Sequence, residues 1–109
     1  MKKDFFLNGL PDLLILRFLA RREMYGYEIV AEIRRQSVEV FQFGEGCIYP
    51  ILHRLVKERR VKEREQTVDG RVRRYYRLTE TGHKQLAALE QRWQQVSAAV
   101  NQIGELVYA

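Results

Sequence analysis

Apolar residues recur at helical spacing in four stretches of the chain, and one stretch of period two lies between the third and the fourth. Leu10–Arg22 reads as the first helix, with Pro11 suited to its first turn and Asp12 to its positive end. Leu13, Leu14, Ile15, Leu16, Phe18 and Leu19 cover nearly its whole circumference, leaving a narrow polar strip around Arg17 and Arg21. A helix apolar on almost all sides needs cover on two sides. In a chain this short, the second cover is expected from another subunit.

Met24–Tyr27 holds a tight break at Gly26, after which Ile29, Val30 and Ile33 mark one face of a second helix ending near Ser37. A short linker through Phe43-Gly44-Glu45-Gly46 leads to a third helix starting around Cys47, with Pro50 in its first turn, where a missing N–H costs nothing. Ile48, Ile51, Leu52 and Leu55 point one way; Tyr49, His53, Arg54, Lys57 and Arg60 point the other. One side packs and the other is basic and aromatic.

At Val61 the period changes to two. Val61–Gln66 and Arg71–Leu78 flank the turn Thr67-Val68-Asp69-Gly70, and Asp-Gly is a strong hairpin signal. In the second strand Arg71, Arg73, Tyr75 and Arg77 alternate with Val72, Arg74, Tyr76 and Leu78, so that Val72, Tyr76 and Leu78 are expected to reach the core. Thr79 or Thr81 offers an N-cap for a final helix of about 25 residues. Its Leu86, Leu89, Trp93, Val96, Val100, Ile103 and Val107 are spaced alternately three and four apart, the narrow seam of a helix with a helical partner. Two readings stand: the seam packs on the same chain's first helix, or it meets a second copy.

The elements predict a mostly α fold with a small β-hairpin wing (α+β): a winged helix-turn-helix over residues 1–79 and a long C-terminal dimerisation helix over 80–109. At 109 residues the chain holds one domain. Its hydrophobic share of 46% and charged share of 30% are those of an ordinary globular domain. The single cysteine, Cys47, closes no intrachain disulfide and fits a reducing, cytoplasmic setting. Lys2 and Lys3 precede an apolar stretch as in a signal peptide, but Asp4, Asn8, Pro11, Asp12 and Arg17 interrupt it, so neither export nor a membrane span is expected.

Charge changes the picture most. The net charge is +5, yet residues 54–77 hold ten basic and four acidic groups, +6 within the block and −1 elsewhere. This is the footprint of a surface that releases counterions from a phosphate backbone. A winged helix-turn-helix seats its third helix in the major groove, about 12 Å wide, and reaches along the backbone with its hairpin. No Ser/His/Asp set, paired carboxylates, phosphate loop or metal-spaced cluster emerges, so no enzyme activity, cofactor or metal is expected. RNA binding stays open, although the aromatic residues are expected in core and seam instead of on an exposed stacking sheet. A winged-helix module that binds protein instead of DNA is the alternative, and the basic block argues against it.

Tyr25-Gly26-Tyr27-Glu28-Ile29, Gly46-Cys47-Ile48-Tyr49-Pro50-Ile51-Leu52-His53-Arg54-Leu55 and Arg73-Arg74-Tyr75-Tyr76-Arg77-Leu78-Thr79-Glu80-Thr81-Gly82 together resemble the PadR-like transcriptional regulators, over about Leu10 to Trp93. The resemblance implies a homodimeric regulator, usually a repressor, of the subgroup with a single C-terminal helix. Two positions depart from the pattern: Cys47 stands where the family usually has Thr or Ser, and Arg60 where a glycine commonly precedes the wing.

Resemblance and geometry together nominate Tyr49, His53, Arg54, Lys57, Arg71, Arg73 and Arg74 for DNA. Tyr49 is either a phosphate or base contact or helix-start packing. Leu14, Phe18, Leu86, Leu89, Trp93, Val96, Val100 and Ile103 are nominated for dimerisation. The expected partners are a palindromic double-stranded operator, with half-sites a duplex turn or a multiple apart, and a second copy of the chain. Trp93 lies mid-seam, where two copies could form a slot for a planar hydrophobic small molecule; plain packing is the other reading. Some members of the smaller subgroup are similar in having a tryptophan here that lines a drug-binding cavity between subunits.

Overall fold

The structure, a computed structural model, describes residues 9–108, and side chains as far as residue 104. The basic pair Lys2-Lys3 and the Val107 side chain lie outside it. The order is α1 (Leu10–Arg21), β1 (Met24–Tyr25), α2 (Gly26–Gln36), α3 (Glu45–Lys57), β2 (Val61–Val68), β3 (Arg71–Leu78) and α4 (Glu80–Tyr108). The strands form one antiparallel sheet in the order β1-β3-β2. This is the α+β winged-helix arrangement that the sequence predicts.

The core lies where α1, α2 and α3 meet the base of the sheet. Ile15, Leu16, Ile29, Ile48, Leu52, Leu55, Val61 and Tyr76 are fully or almost fully buried there. Leu14 and Phe18 are only partly covered, so α1 has one satisfied face and one half-open face. Leu13, Ile15, Leu16 and Leu19 supply the satisfied one.

Three expectations need correcting. First, Met24–Tyr25 is a strand. It adds to the edge of the hairpin with Met24 opposite Tyr76 and Tyr25 opposite Tyr75. Two residues are too few for a period-two signal to show.

Second, α3 begins at Glu45. Gly44 takes the extended N-cap conformation and its carbonyl accepts from the N–H groups of Cys47 and Ile48, both at 3.0 Å, while Glu45 meets the positive helix end. Pro50 therefore sits in the second turn, where its missing N–H removes the bond that would close on the Gly46 carbonyl.

Third, Val72 is 63% exposed. It lies near the hairpin tip opposite Thr67, beyond the body of the protein, where neither sheet face has anything to cover it. Tyr76 and Leu78, at the hairpin base, do reach the core.

Before the wing, Arg59 takes the left-handed conformation (φ +61°). The N–H of Arg60 donates to the Leu55 carbonyl and that of Arg59 to the Val56 carbonyl, both at 3.0 Å, which is a Schellman closure of α3.

The wing turn needs only two residues, Asp69 (φ +52°) and Gly70 (φ +77°). Positive φ at both is the type I′ geometry, whose twist matches that of paired strands. At the far end Thr79 caps α4: its Oγ1 accepts from the Gly82 N–H at 3.0 Å and donates to the Arg59 carbonyl at 2.7 Å. One threonine thus fixes the angle between wing and α4. The last helix runs for 29 residues, longer than the sequence suggests, or about 43 Å.

Candidate nucleic-acid interface

An open groove of about 940 Å³ separates α3 from the wing, lined by Tyr49 and His53 on one side and Arg71, Val72, Arg73, Arg74 and Tyr76 on the other. Tyr25, Gly26 and Tyr27 close one end. A second opening, lined by His53, Arg54, Lys57, Glu63 and Arg74 among others, adjoins it. All seven residues nominated for DNA thus line one continuous surface.

Their environments differ. Tyr49 is half-buried, its ring resting on Gly26 in contact so close that any Cβ there would overlap the Cε1 atom. Burial, then the negative charge of Glu45, raises its phenol above the ordinary value. It stays a hydrogen-bond donor at neutral pH. Packing and exposure of the hydroxyl edge coexist in this residue, since the ring is fixed by Gly26 while the oxygen lies 3.4 Å from Glu45 Oε1.

His53 and Lys57 are exposed one turn apart on α3. Arg54 is bound differently. Its Nη2 donates to both carboxylate oxygens of Asp12 at 2.7 Å, and its Nη1 donates to Glu58 at 3.2 Å. Burial alone would lower its pKa, but the hydrogen bonds and charges of Asp12 and Glu58 outweigh it. Asp12, only 5% exposed, is a helix-start residue of α1, so the pair ties α3 to α1. This engagement was not legible in sequence because the partners are 42 residues apart.

On the wing, Arg74 shares the Tyr76 side of β3 and lies 3.7 Å from both Glu63 and Glu65. Arg73 lies on the other side, its guanidinium 4.5 Å from the centre of the Tyr25 ring. Arg71 is exposed and, among the described residues, has no carboxylate within ion-pair distance. Tyr25 and Tyr27, which line the groove, were not nominated from sequence; the Tyr25-Gly26-Tyr27 run was their only signal. Among the described residues no group of three His, Cys, Asp or Glu side chains could hold a metal ion.

The residues nominated for dimerisation divide along α4. Leu86 and Leu89 are partly buried against the core, as Leu14 and Phe18 are. The same end of α4 is tied to α1 by Arg17, which donates to Glu90 at 2.5 and 2.6 Å. Trp93 and Val96 are half-buried, whereas Val100 is 56% and Ile103 67% exposed. The seam is therefore satisfied within the chain over its first third and bare toward its end.

Comparison with known proteins bears on this architecture. Residues 15–88 match the family model described as the transcriptional regulator PadR-like family. A transcriptional regulator of Mycobacterium tuberculosis is 35% identical over 81 residues, which span 74% of this chain and 73% of the relative. Among solved structures, a transcriptional regulator from Clostridium thermocellum superposes with a TM-score of 0.82 at 28% identity, covering 91% of this chain and 97% of the other. A PadR-like transcriptional regulator from Bacillus cereus gives 0.76 at 32% identity, covering 92% and 96%. A family match over most of the chain, joined to a winged-helix body with a basic groove, leads to one conclusion: this chain belongs to the PadR-like family of transcriptional regulators.

Proposed function

We propose that the chain binds double-stranded DNA as a homodimer and represses transcription from a palindromic operator until a small-molecule effector releases it. The observation that carries this reading is the groove between α3 and the wing, where exposed cations from both elements face a single opening inside the +6 block of residues 54–77. Residues 1–79 form the DNA-binding region and 80–109 the dimerisation helix. Tyr49, His53 and Lys57 approach the bases or phosphates of the major groove; Arg71, Arg73 and Arg74 contact the adjacent backbone. Arg54, held by Asp12 and Glu58, sets the orientation of α3 and offers phosphate only its remaining donors.

The bare end of the α4 seam supports the dimer. Leu14, Phe18, Leu86, Leu89, Trp93, Val96, Val100 and Ile103 form the shared interface, with a planar hydrophobic effector between the two copies of Trp93. No described helix is long and apolar enough to cross a membrane, which is compatible with a cytoplasmic site of action. Trp93 is the sole tryptophan, so quenching of its fluorescence by planar dyes tests the effector slot directly.

The salt dependence of binding to a short duplex tests the function. Wild type is expected to bind tightly at low salt with a slope of several phosphates, and Arg73→Ala to bind all sequences more weakly with a slope reduced by about one. Absence of binding at low salt would turn the reading toward a protein-interaction module, and an unchanged slope would remove the wing from the interface.

A further inference from the structure

The side of the sheet that faces away from the core carries an alternating stack of cations and rings. Arg73 and Tyr75 project from this side of β3, opposite in sense to Tyr76 and Leu78, which are buried. The Arg73 guanidinium lies over the Tyr25 ring at 4.5 Å; Tyr25 meets Tyr75 edge to face, with ring centres 5.6 Å apart and planes at 66°. Arg64, opposite Tyr75 on β2, lies over the Tyr75 ring at 4.7 Å. It also donates to Glu23 at 2.5 and 2.9 Å.

Both ends of this stack are held by the short segment around β1, through Glu23 at one end and Tyr25 at the other. The ends differ in charge. Arg64 is compensated by Glu23, whereas Arg73 has no carboxylate within ion-pair distance among the described residues. An aromatic face orients a guanidinium without neutralising it. A cation already held in one orientation also loses less freedom when it meets a phosphate.

We propose that Tyr25 is a positioning residue of the DNA interface: its ring holds Arg73 in the orientation in which the guanidinium meets the phosphate backbone, at the groove that both residues line. The proposal rests on the DNA-binding reading given above. The ring, not the hydroxyl, does the holding. Arg64, with its charge already spent on Glu23, secures the stack and adds little affinity of its own.

Fluorescence anisotropy with a labelled duplex at low salt, with thermal melting of each variant beside it, tests this. Tyr25→Phe is expected to bind as wild type. Tyr25→Leu is expected to bind about two- to tenfold more weakly, the cost of one loosened side chain, with a melting temperature little changed. The decisive comparison is the double variant: Tyr25→Leu with Arg73→Ala is expected to bind no more weakly than Arg73→Ala alone. The same loss from Tyr25→Leu in the Arg73→Ala background, or no loss in wild type, overturns the proposal. Should Tyr25→Leu fail to fold, Tyr25→Met takes its place with the same expected outcomes. If wild type itself ignores the duplex, the DNA-binding reading fails and this proposal with it; if wild type binds and Tyr25→Leu matches it, only the proposal fails.

Discussion

Gly26 does two jobs at once: it opens α2 and it makes room for the Tyr49 ring. A methyl group in its place would overlap that ring, and the ring, unlike a backbone atom, can swing away. Gly26→Ala is therefore expected to shift Tyr49 out of the groove, costing about 1–3 kcal/mol of stability and also weakening DNA binding. Tyr49→Ala measured beside it separates the two effects. If Gly26→Ala binds DNA as wild type does, the placement of Tyr49 against Gly26 has no bearing on the interface. Sequence alone left Tyr49 divided between packing and contact because it could not show that Gly26, 23 positions earlier, supplies the surface on which the ring rests.

Among the elements, α1 links α3 to α4. Asp12, near its start, holds Arg54 of α3, and Arg17, little more than a turn later, holds Glu90 of α4. Both groups of the second pair are partly exposed, so its contribution is small, about 0.3–1 kcal/mol. Hydrogen bonds from Arg17, then its charge, hold the Glu90 carboxyl below the usual glutamate value of 4.5. A carboxyl depressed in the folded state contributes its stability above its unfolded pKa and loses it as pH falls through the folded value. The stability difference between wild type and Glu90→Gln, followed by urea denaturation, is therefore expected to be present near pH 7 and to shrink below about pH 4.5. A difference that persists at pH 2 would show that Arg17 and Glu90 are not coupled in solution.

Much of this level was legible beforehand. The four helices, the Asp69-Gly70 hairpin and a threonine cap on α4, left open between Thr79 and Thr81, follow from local chemistry that a few neighbouring residues express. What escaped was set by distant partners. The strand β1 exists because β3 offers it an edge, α3 starts early because Gly44 caps it, and Val72 is bare because the hairpin outruns the body. The same holds for the interface: its cations could be named from the basic block, but the assignment of Arg54 to Asp12 and of Arg73 to Tyr25 depends on contacts across the fold.

At the scale of the molecule, the chain is too extended for its length. Its radius of gyration is 15.8 Å, against about 13 Å for a compact domain of 109 residues. It exposes 7802 Å², more than the roughly 6,000 Å² that its size calls for. The long α4 accounts for this, since Val100 and Ile103 stand bare beyond the part that Leu86, Leu89 and Glu90 fasten to the body. Replacing both Val100 and Ile103 by Asp removes no contact with the core of the chain's own body and is expected to leave each protomer folded while separating the pair. A double variant that sediments like wild type would move the interface elsewhere on the molecule.

Sedimentation velocity of the wild-type protein with a labelled duplex, at micromolar concentration and low salt, addresses assembly and recognition together. Two protomers are expected on each duplex, and a dimer in its absence. A lone protomer that leaves the duplex sedimenting alone would contradict both.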